Sequence, residues 1–271
     1  MMAGRDERGT GRRFIESLSR PLKRFLNAAG LDLVRYHGPD DSVPFPDALP
    51  EDLETIRAVG EHTMASAKRI QILCEATRYV SRARIPGDVV ECGVWRGGSM
   101  MAVARTLLRE GDTERHLHLF DTFEGMTEPT EHDVSIDGKT ASEMMRSAPR
   151  SGDRGSIWCE ASDDVVLSAM QGTKYPGDRI HLVKGRVEDT VPDQAPLRIA
   201  LLRLDTDWYE STRHEMEFLY PRLARGGILF IDDYGHWKGA RKAVDEYLRR
   251  TGQEMMLHRI DYTGRVGVRA F

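Results

Sequence analysis

The sequence predicts an α/β fold in which a seven-stranded, mostly parallel sheet carries helices on both faces. Three observations lead there. Short runs that are apolar on both sides alternate with longer segments of helical periodicity, the pattern of parallel strands buried under crossover helices. Each of the five such runs ends in polar residues: Glu91, Asp121, Lys184, Asp205 and the pair Asp232-Asp233. The chain then finishes with two β-like runs, 254–260 and 265–271, joined by the turn Asp261-Tyr262-Thr263-Gly264, so an antiparallel hairpin closes the sheet. A chain of 271 residues suits one large domain of this kind with additions.

Taken in order, residues 1–12 are charged and glycine-containing and read as a disordered tail. In 13–31, Phe14, Ile15, Leu18, Leu22, Phe25 and Leu26 fall at helical spacing beside Arg12, Arg13, Arg20, Lys23 and Arg24. This is a basic amphipathic helix interrupted by Pro21, expected to pack on its own domain or on a second copy rather than on a membrane. Residues 37–52 are rich in proline and acid and read as a linker or lid. Helices follow over 52–59 and 66–80, the second turning Ile70, Ile72, Leu73 and Ala76 inward, with Glu61-His62-Thr63-Met64 between them. Pro86-Gly87 breaks the helix, and β-branched Val89 and Val90 begin a strand that runs into a glycine-rich turn and a helix over 99–108. Further strands are expected at 116–120, 179–183, 199–204 and 228–231. The organisation is an amino-terminal helical extension, 1–60, and a main domain, 61–271. Within the latter, the polar segment 127–154, with His132, Asp133, Asp137, Lys139, Met144 and Met145, reads as a mobile substrate lid.

Composition narrows the function. A formal charge of −4 gives no pull toward nucleic acid or anionic lipid, and no apolar run approaches the roughly 20 residues of a membrane span. Cys74, Cys92 and Cys159 are odd in number and lack C-x-x-C spacing, which speaks against a disulfide framework or zinc site and for a reducing cytoplasm. No charged-then-apolar leader precedes the first helix.

The chemistry gathers at the strand ends, where parallel sheets bind ligands. Glu91-Cys92-Gly93-Val94-Trp95-Arg96-Gly97-Gly98-Ser99 is not the G-x-G-x-x-G dinucleotide pattern. Its acid would repel a pyrophosphate but suits an ammonium or sulfonium, while the amides opening the next helix suit a carboxylate. S-adenosylmethionine carries all three groups. Asp121, at the tip of the second strand, is placed to accept both hydroxyls of a ribose; the plainer alternative is a cap for the segment beginning at Thr122. Asp205, Asp232 and Asp233 would repel one another unless a cation sat among them, and oxygen ligands select a hard ion such as Mg²⁺. Such an ion would grip neighbouring hydroxyls and acidify one of them. The plainer alternative is that Asp232 or Asp233 caps the next helix and Asp207 balances Arg203. His132 reads as a solvated loop residue or a second acid–base group. His236 and Trp237 read as lining a sugar pocket, with Trp237 either stacking on a pyranose or belonging to the core.

Five motifs in order, Glu91-Cys-Gly-Val-Trp-Arg-Gly-Gly98, Phe120-Asp-Thr-Phe-Glu-Gly125, Leu202-Arg-Leu-Asp-Thr-Asp-Trp-Tyr-Glu-Ser-Thr212, Leu219-Tyr-Pro-Arg-Leu223 with Gly226-Gly227, and Ile231-Asp-Asp-Tyr234, resemble the macrocin O-methyltransferase family. The resemblance runs from about Glu61 to the end of the chain. It implies the Rossmann-like class I methyltransferase fold, S-adenosylmethionine as donor and Mg²⁺ as cofactor. It also implies Asp205, Asp232 and Asp233 as metal ligands, and Thr63, Met64, Glu91, Gly93, Trp95, Arg96, Gly97, Gly98, Ser99 and Asp121 around the donor, with Ala161 and Ser162 near the adenine. Asp205 is the expected general base. The expected acceptor is a sugar hydroxyl of a small-molecule glycoside or glycan, as in antibiotic biosynthesis. Alternatives are a catechol-type O-methyltransferase acting on an aromatic diol and a non-catalytic binding protein on the same fold. A homo-oligomer associating through the amphipathic helix, no nucleic-acid partner and no integral membrane segment complete the expectation.

Overall fold

The computed structural model describes Leu26 and residues 47–270. The tail 1–12, the rest of the amphipathic stretch 13–31 and most of the acidic loop 37–52 lie outside the described residues. The described residues from 47 onward belong to one compact unit, Phe45–Phe271.

Helix α1 (Pro50–Val59) opens with Pro50 in its first turn and Glu51 and Asp52 beside its positive end. It packs on α2 (Ala67–Arg82) and α3 (Gly98–Glu110), inside the same unit as the sheet. The N-cap Ser66 accepts a hydrogen bond from the Arg69 amide at 3.2 Å. Helix α3 starts after Gly97 at φ 86° and stops at Gly111 at φ 72°, left-handed positions that glycine enters without a Cβ penalty. The remaining elements are β1 (Asp88–Cys92), β2 (Leu117–Asp121), α4 (Ala141–Ser147), α5 (Asp163–Gly172), β3 (Ile180–Lys184), α6 (Val187–Thr190), β4 (Ile199–Leu204), α7 (Tyr209–Phe218), β5 (Leu223–Ile231), α8 (Lys238–Thr251), β6 (His258–Arg259) and β7 (Arg265–Val268).

The strand order is β3-β2-β1-β4-β5-β7-β6, with β1 to β5 parallel and β7 antiparallel to both neighbours. Chain direction across the sheet reverses between β1 and β4, and that switch point leaves a crevice beyond their carboxyl ends. Every residue of β4 is buried. On one face, Val89, Leu117, Leu119 and Leu201 meet Ile70 and Leu73 of α2, Leu107 of α3 and Met170 of α5. On the other, Val90, Phe120, Leu202 and Leu229 meet Met216 of α7 and Val244 and Tyr247 of α8. Each fully buried side chain of this kind contributes about 1.5–3 kcal/mol.

Some elements differ from expectation. Strand β5 begins at Leu223 rather than 228, because Gly226 at φ 76° carries it through a register shift against β4. The closing runs contract to β6 and β7, since β6 is an edge strand whose neighbour Met256 faces solvent. The 127–154 segment is polar by composition but holds α4 and a buried anchor. Asp133 is 0% exposed and accepts hydrogen bonds from the amides of Thr130 and Tyr209, both at 2.7 Å. Ala141 and Met145 of α4 join Trp208, Trp237 and Ala240 in a third, smaller core. Trp237 is therefore a core residue rather than a sugar platform. Among the described residues no helix is long and apolar enough to cross a membrane.

Candidate active site

A cavity of about 340 Å³ opens at the switch point between β1 and β4. One half is built by the turn after β1, the tip of β2 and the chain before α2, where His62, Thr63, Met64, Gly93, Trp95, Ser99 and Asp121 line the wall. Asp121 Oδ2 accepts from the amides of Val94 (2.6 Å) and Trp95 (3.2 Å), and Oδ1 from that of Phe123 (2.8 Å). The capping alternative is thus largely realised: Oδ2 is saturated by its two amides, and only Oδ1 keeps a lone pair, the neighbouring Thr122 hydroxyl donating to the Gly125 carbonyl at 2.7 Å. Burial raises the Asp121 carboxyl above its ordinary range, and the three amides oppose that shift. Trp95 Nε1 and His62 Nδ1 are buried in this wall without a hydrogen-bond partner among the described residues. Such orphaned polar atoms are costly unless a ligand satisfies them.

The other half is acidic. Asp205, Asp207, Asp232 and Asp233 all line it, with Arg69 and Arg203 as counter-charges. Arg203, buried in β4, pairs with Glu91, with Asp205 Oδ2 at 2.7 Å and with Asp232 Oδ1 at 2.8 Å. Arg69, in the first turn of α2, pairs with Asp232 and, at 3.0 Å, with Asp261 of the closing hairpin. Burial raises Asp232, but Arg203 and Arg69 outweigh it and hold this carboxyl below its usual range. Asp205 and Asp233 are pushed well above that range, first by burial and then by neighbouring carboxylates that Arg203 or Arg69 only partly offsets. Burial, reinforced by the charge of Asp205, takes Asp207 up to about 7. Asp207 holds a strained φ of 65° and accepts from Trp237 Nε1 at 3.1 Å, so the core tryptophan orients it. Beneath the same turn, the Thr206 hydroxyl donates to the buried Glu215 at 2.9 Å.

As they stand, no three or more His, Cys, Asp or Glu side chains among the described residues are grouped so as to hold a metal ion. The donor chemistry nonetheless fits a hard divalent cation. The set is all oxygen, the carboxyls outnumber the guanidiniums, and Asp233 Oδ2 is buried without a donor.

Of the residues expected around the donor, Glu91, Arg96, Gly97, Gly98, Ala161 and Ser162 do not line the cavity. Glu91 lies beneath its floor, 1% exposed, with burial raising it to about 7 against the pull of Arg203; its Oε2 has no partner. Arg96 turns outward over the Trp95 ring and donates to the Gly152 carbonyl at 3.0 Å. A Cβ at Gly98 would lie 2.5 Å from the His62 carbonyl oxygen, so that glycine serves the packing of α3 on the chain before α2. Ser162 precedes α5 without capping it. Lys184 is exposed, 3.7 Å from Glu124. His132 sits away from the cavity, 3.3 Å from Lys242. Sequence reasoning placed the end of this strand at Lys184-Gly185 but missed Arg186, Val187 and Glu188, which with Gly185 line the cavity immediately after β3. It also missed Arg69, whose role depends on a hairpin far along the chain.

The family description Macrocin-O-methyltransferase (TylF) matches residues 55–267. The 8-demethyl-8-(2,3-dimethoxy-alpha-L-rhamnosyl)-tetracenomycin-C 4'-O-methyltransferase of Streptomyces olivaceus is 35% identical over 219 residues, 81% of this chain and 80% of that protein. The mycinamicin III 3''-O-methyltransferase of Micromonospora griseorubida is 29% identical over 252 residues, 93% of this chain and 94% of its own. Among solved structures, the O-methyltransferase NovP superposes with a TM-score of 0.65 at 30% identity, covering 80% of this chain and 88% of NovP.

Proposed function

Since the chain belongs to the macrocin O-methyltransferase family, we propose that it transfers the methyl group of S-adenosylmethionine to a sugar hydroxyl of a glycosylated natural product in antibiotic biosynthesis. The observation that carries this reading is the pairing, in one cavity, of a wall with unsatisfied donors and a wall of four carboxyls. Asp121 accepts a ribose hydroxyl on Oδ1, the oxygen that its backbone amides leave with a free lone pair. Trp95 Nε1 and His62 Nδ1 meet the donor's carboxylate, with Thr63, Met64 and Ser99 along the chain, and Glu91 Oε2 faces the ammonium from below. Gly93, Gly97 and Gly98 shape the turn, while Arg96, Ala161 and Ser162 stand outside the wall.

The acceptor hydroxyl enters at the acidic wall, where Asp205 takes its proton. Asp207, steered by Trp237, is the second carboxyl able to do so. Arg203 fixes Asp205 and Asp232 relative to each other, so the carboxyl that would take the proton is held in place; the methyl transfer is a single in-line displacement, whose rate would come largely from positioning. Mg²⁺, if held by Asp205, Asp232 and Asp233, would supply a Lewis acid that lowers the pKa of the hydroxyl. The free thiols of Cys74, Cys92 and Cys159 suit a cytoplasmic enzyme, and the amphipathic stretch 13–31 suits a homo-oligomer.

Calorimetry with S-adenosylhomocysteine tests the donor wall. Asp121→Ala is expected to weaken binding about tenfold or more, the loss of hydrogen bonds to an ionised group. Asp205→Asn and Asp207→Asn are expected to keep that affinity and to lower turnover of a rhamnoside about 100-fold or more for whichever is the base. No binding to the unaltered protein would refute the donor assignment. A Mg²⁺ titration after chelation, repeated on Asp232→Ala, tests the ion separately.

A further inference from the structure

Beside the acidic wall, three side chains from three separate segments make an exposed ledge. Ile136 comes from the segment after β2, His236 from the turn between β5 and α8, and Tyr262 from the closing hairpin. The backbone joins them: the Ile136 amide donates to the His236 carbonyl at 2.8 Å, and the Gly235 amide to that of Thr263 at 2.8 Å. The His236 and Tyr262 rings meet at 5.8 Å and 60°, with His236 Nδ1 and the Tyr262 hydroxyl 3.2 Å apart. His236 in turn lies edge-on to the buried Trp237 at 4.7 Å, so the ledge stands on the small core. Ile136 is 42% exposed and Tyr262 59%, a large apolar commitment for residues in a turn. The ledge is continuous with the cavity, because the His236 amide donates to the Asp233 carbonyl at 3.0 Å and Thr263 lines the wall.

The cavity's size says what the ledge faces. At about 340 Å³ it lies near the lower end of the roughly 300–1,000 Å³ of ligand pockets, and it must take both the donor and a sugar ring. Whatever the sugar is attached to therefore extends beyond the cavity, and the ledge adjoins its acidic wall at Asp233 and Thr263. We propose that Ile136, His236 and Tyr262 receive the apolar, ring-bearing aglycone of the acceptor and set the enzyme's preference for it. This rests on the sugar-methylation reading above. Edge-to-face ring contact adds about 0.5–1.5 kcal/mol beyond buried area, a preference of about three- to tenfold.

The test compares kcat/KM for 4-methylumbelliferyl α-L-rhamnoside and methyl α-L-rhamnoside in the presence of S-adenosylmethionine and Mg²⁺, rhamnose being the sugar named for the Streptomyces olivaceus relative. The unaltered enzyme is expected to favour the aryl rhamnoside about three- to tenfold. Tyr262→Ala and Ile136→Ala should each bring the ratio toward one, whereas Tyr262→Phe, which keeps the ring, should retain it. A ratio of one in the unaltered enzyme overturns the proposal. So does an unchanged ratio in Tyr262→Ala whose S-adenosylhomocysteine affinity reports an intact fold. If Tyr262→Ala no longer binds that nucleoside, Ile136→Ala decides by the same ratio. If neither rhamnoside is methylated while the nucleoside still binds, the sugar reading itself fails and the ledge assignment falls with it.

Discussion

At Gly93 the donor wall and the acidic wall touch through backbone alone. Its φ is 83°, and a Cβ there would lie 2.0 Å from the carbonyl oxygen of Asp205. Neither the left-handed backbone nor the rigid strand end can yield to a methyl group. Gly93→Ala is therefore expected to displace Asp205, cost about 1–3 kcal/mol or more in urea unfolding and lose turnover beyond that cost. Unchanged stability would show that the two strand ends move apart freely. The glycine-rich turn stood out in the sequence because glycine clusters are local signals. The pairing of Glu91 with Arg203 did not, since the partners are 112 positions apart and a buried guanidinium in a strand looks like any other arginine. For the same reason the sequence points to Glu91 against the ligand rather than beneath it, and offers Asp207 only in the plainer alternative, as a balance for Arg203, although Trp237, 30 residues on, orients it.

At the level of elements, periodicity located the five parallel strands to within five residues at either end, and β4 at both of its ends, because strands buried on both faces leave unbroken apolar runs. It did not reveal α4, whose seven residues carry too few turns for a pattern, nor that Asp133, named only within a polar segment, is an acid the fold buries. Helix α2 shows how an element's start is also a piece of the site. The Ser66 hydroxyl caps the helix and donates to Asp261 Oδ2 at 2.5 Å, and Arg69, one turn in, reaches the same carboxylate. Ser66→Ala is expected to lower stability by about 1 kcal/mol through the lost cap, and by more through the freed Asp261. Chemical denaturation measures this, and a change below a few tenths of a kcal/mol would mean that the cap is carried by other groups.

Across the whole molecule, the two ends of the sheet carry different ionisable groups. The carboxyl end gathers acids, and the amino end stacks His181 against His116 at 4.9 Å and His118 at 4.8 Å, with Asp88 and Arg179 at its margins. Burial, and then the charges of His118 and His116, hold His181 below its ordinary value of 6.5. The unfolded chain thus binds the proton more readily, so the stability is present at neutral pH and is lost as pH falls through 6.5. The raised carboxyls of Glu91 and Asp207 gain stability over the same range, so the effect of His181 is read as a difference: between pH 7.5 and 5.5 the melting temperature of His181→Gln is expected to rise relative to that of the unaltered protein, and parallel curves would remove this group as a cause. The alternation of strands and helices, with a closing hairpin, made the architecture readable because it recurs along the chain. The hairpin's grip on the site was not readable, since it acts through tertiary contacts alone. That grip has a temporal consequence. Asp261 and Thr263, which tie Arg69 and the Asp232 backbone in place, follow Asp232 by 29 and 31 positions. During synthesis the acidic wall stays unbraced until the closing hairpin has emerged, so a chain cut between Asp233 and Asp261 carries all four carboxyls of that wall and still lacks the clasp that arranges them.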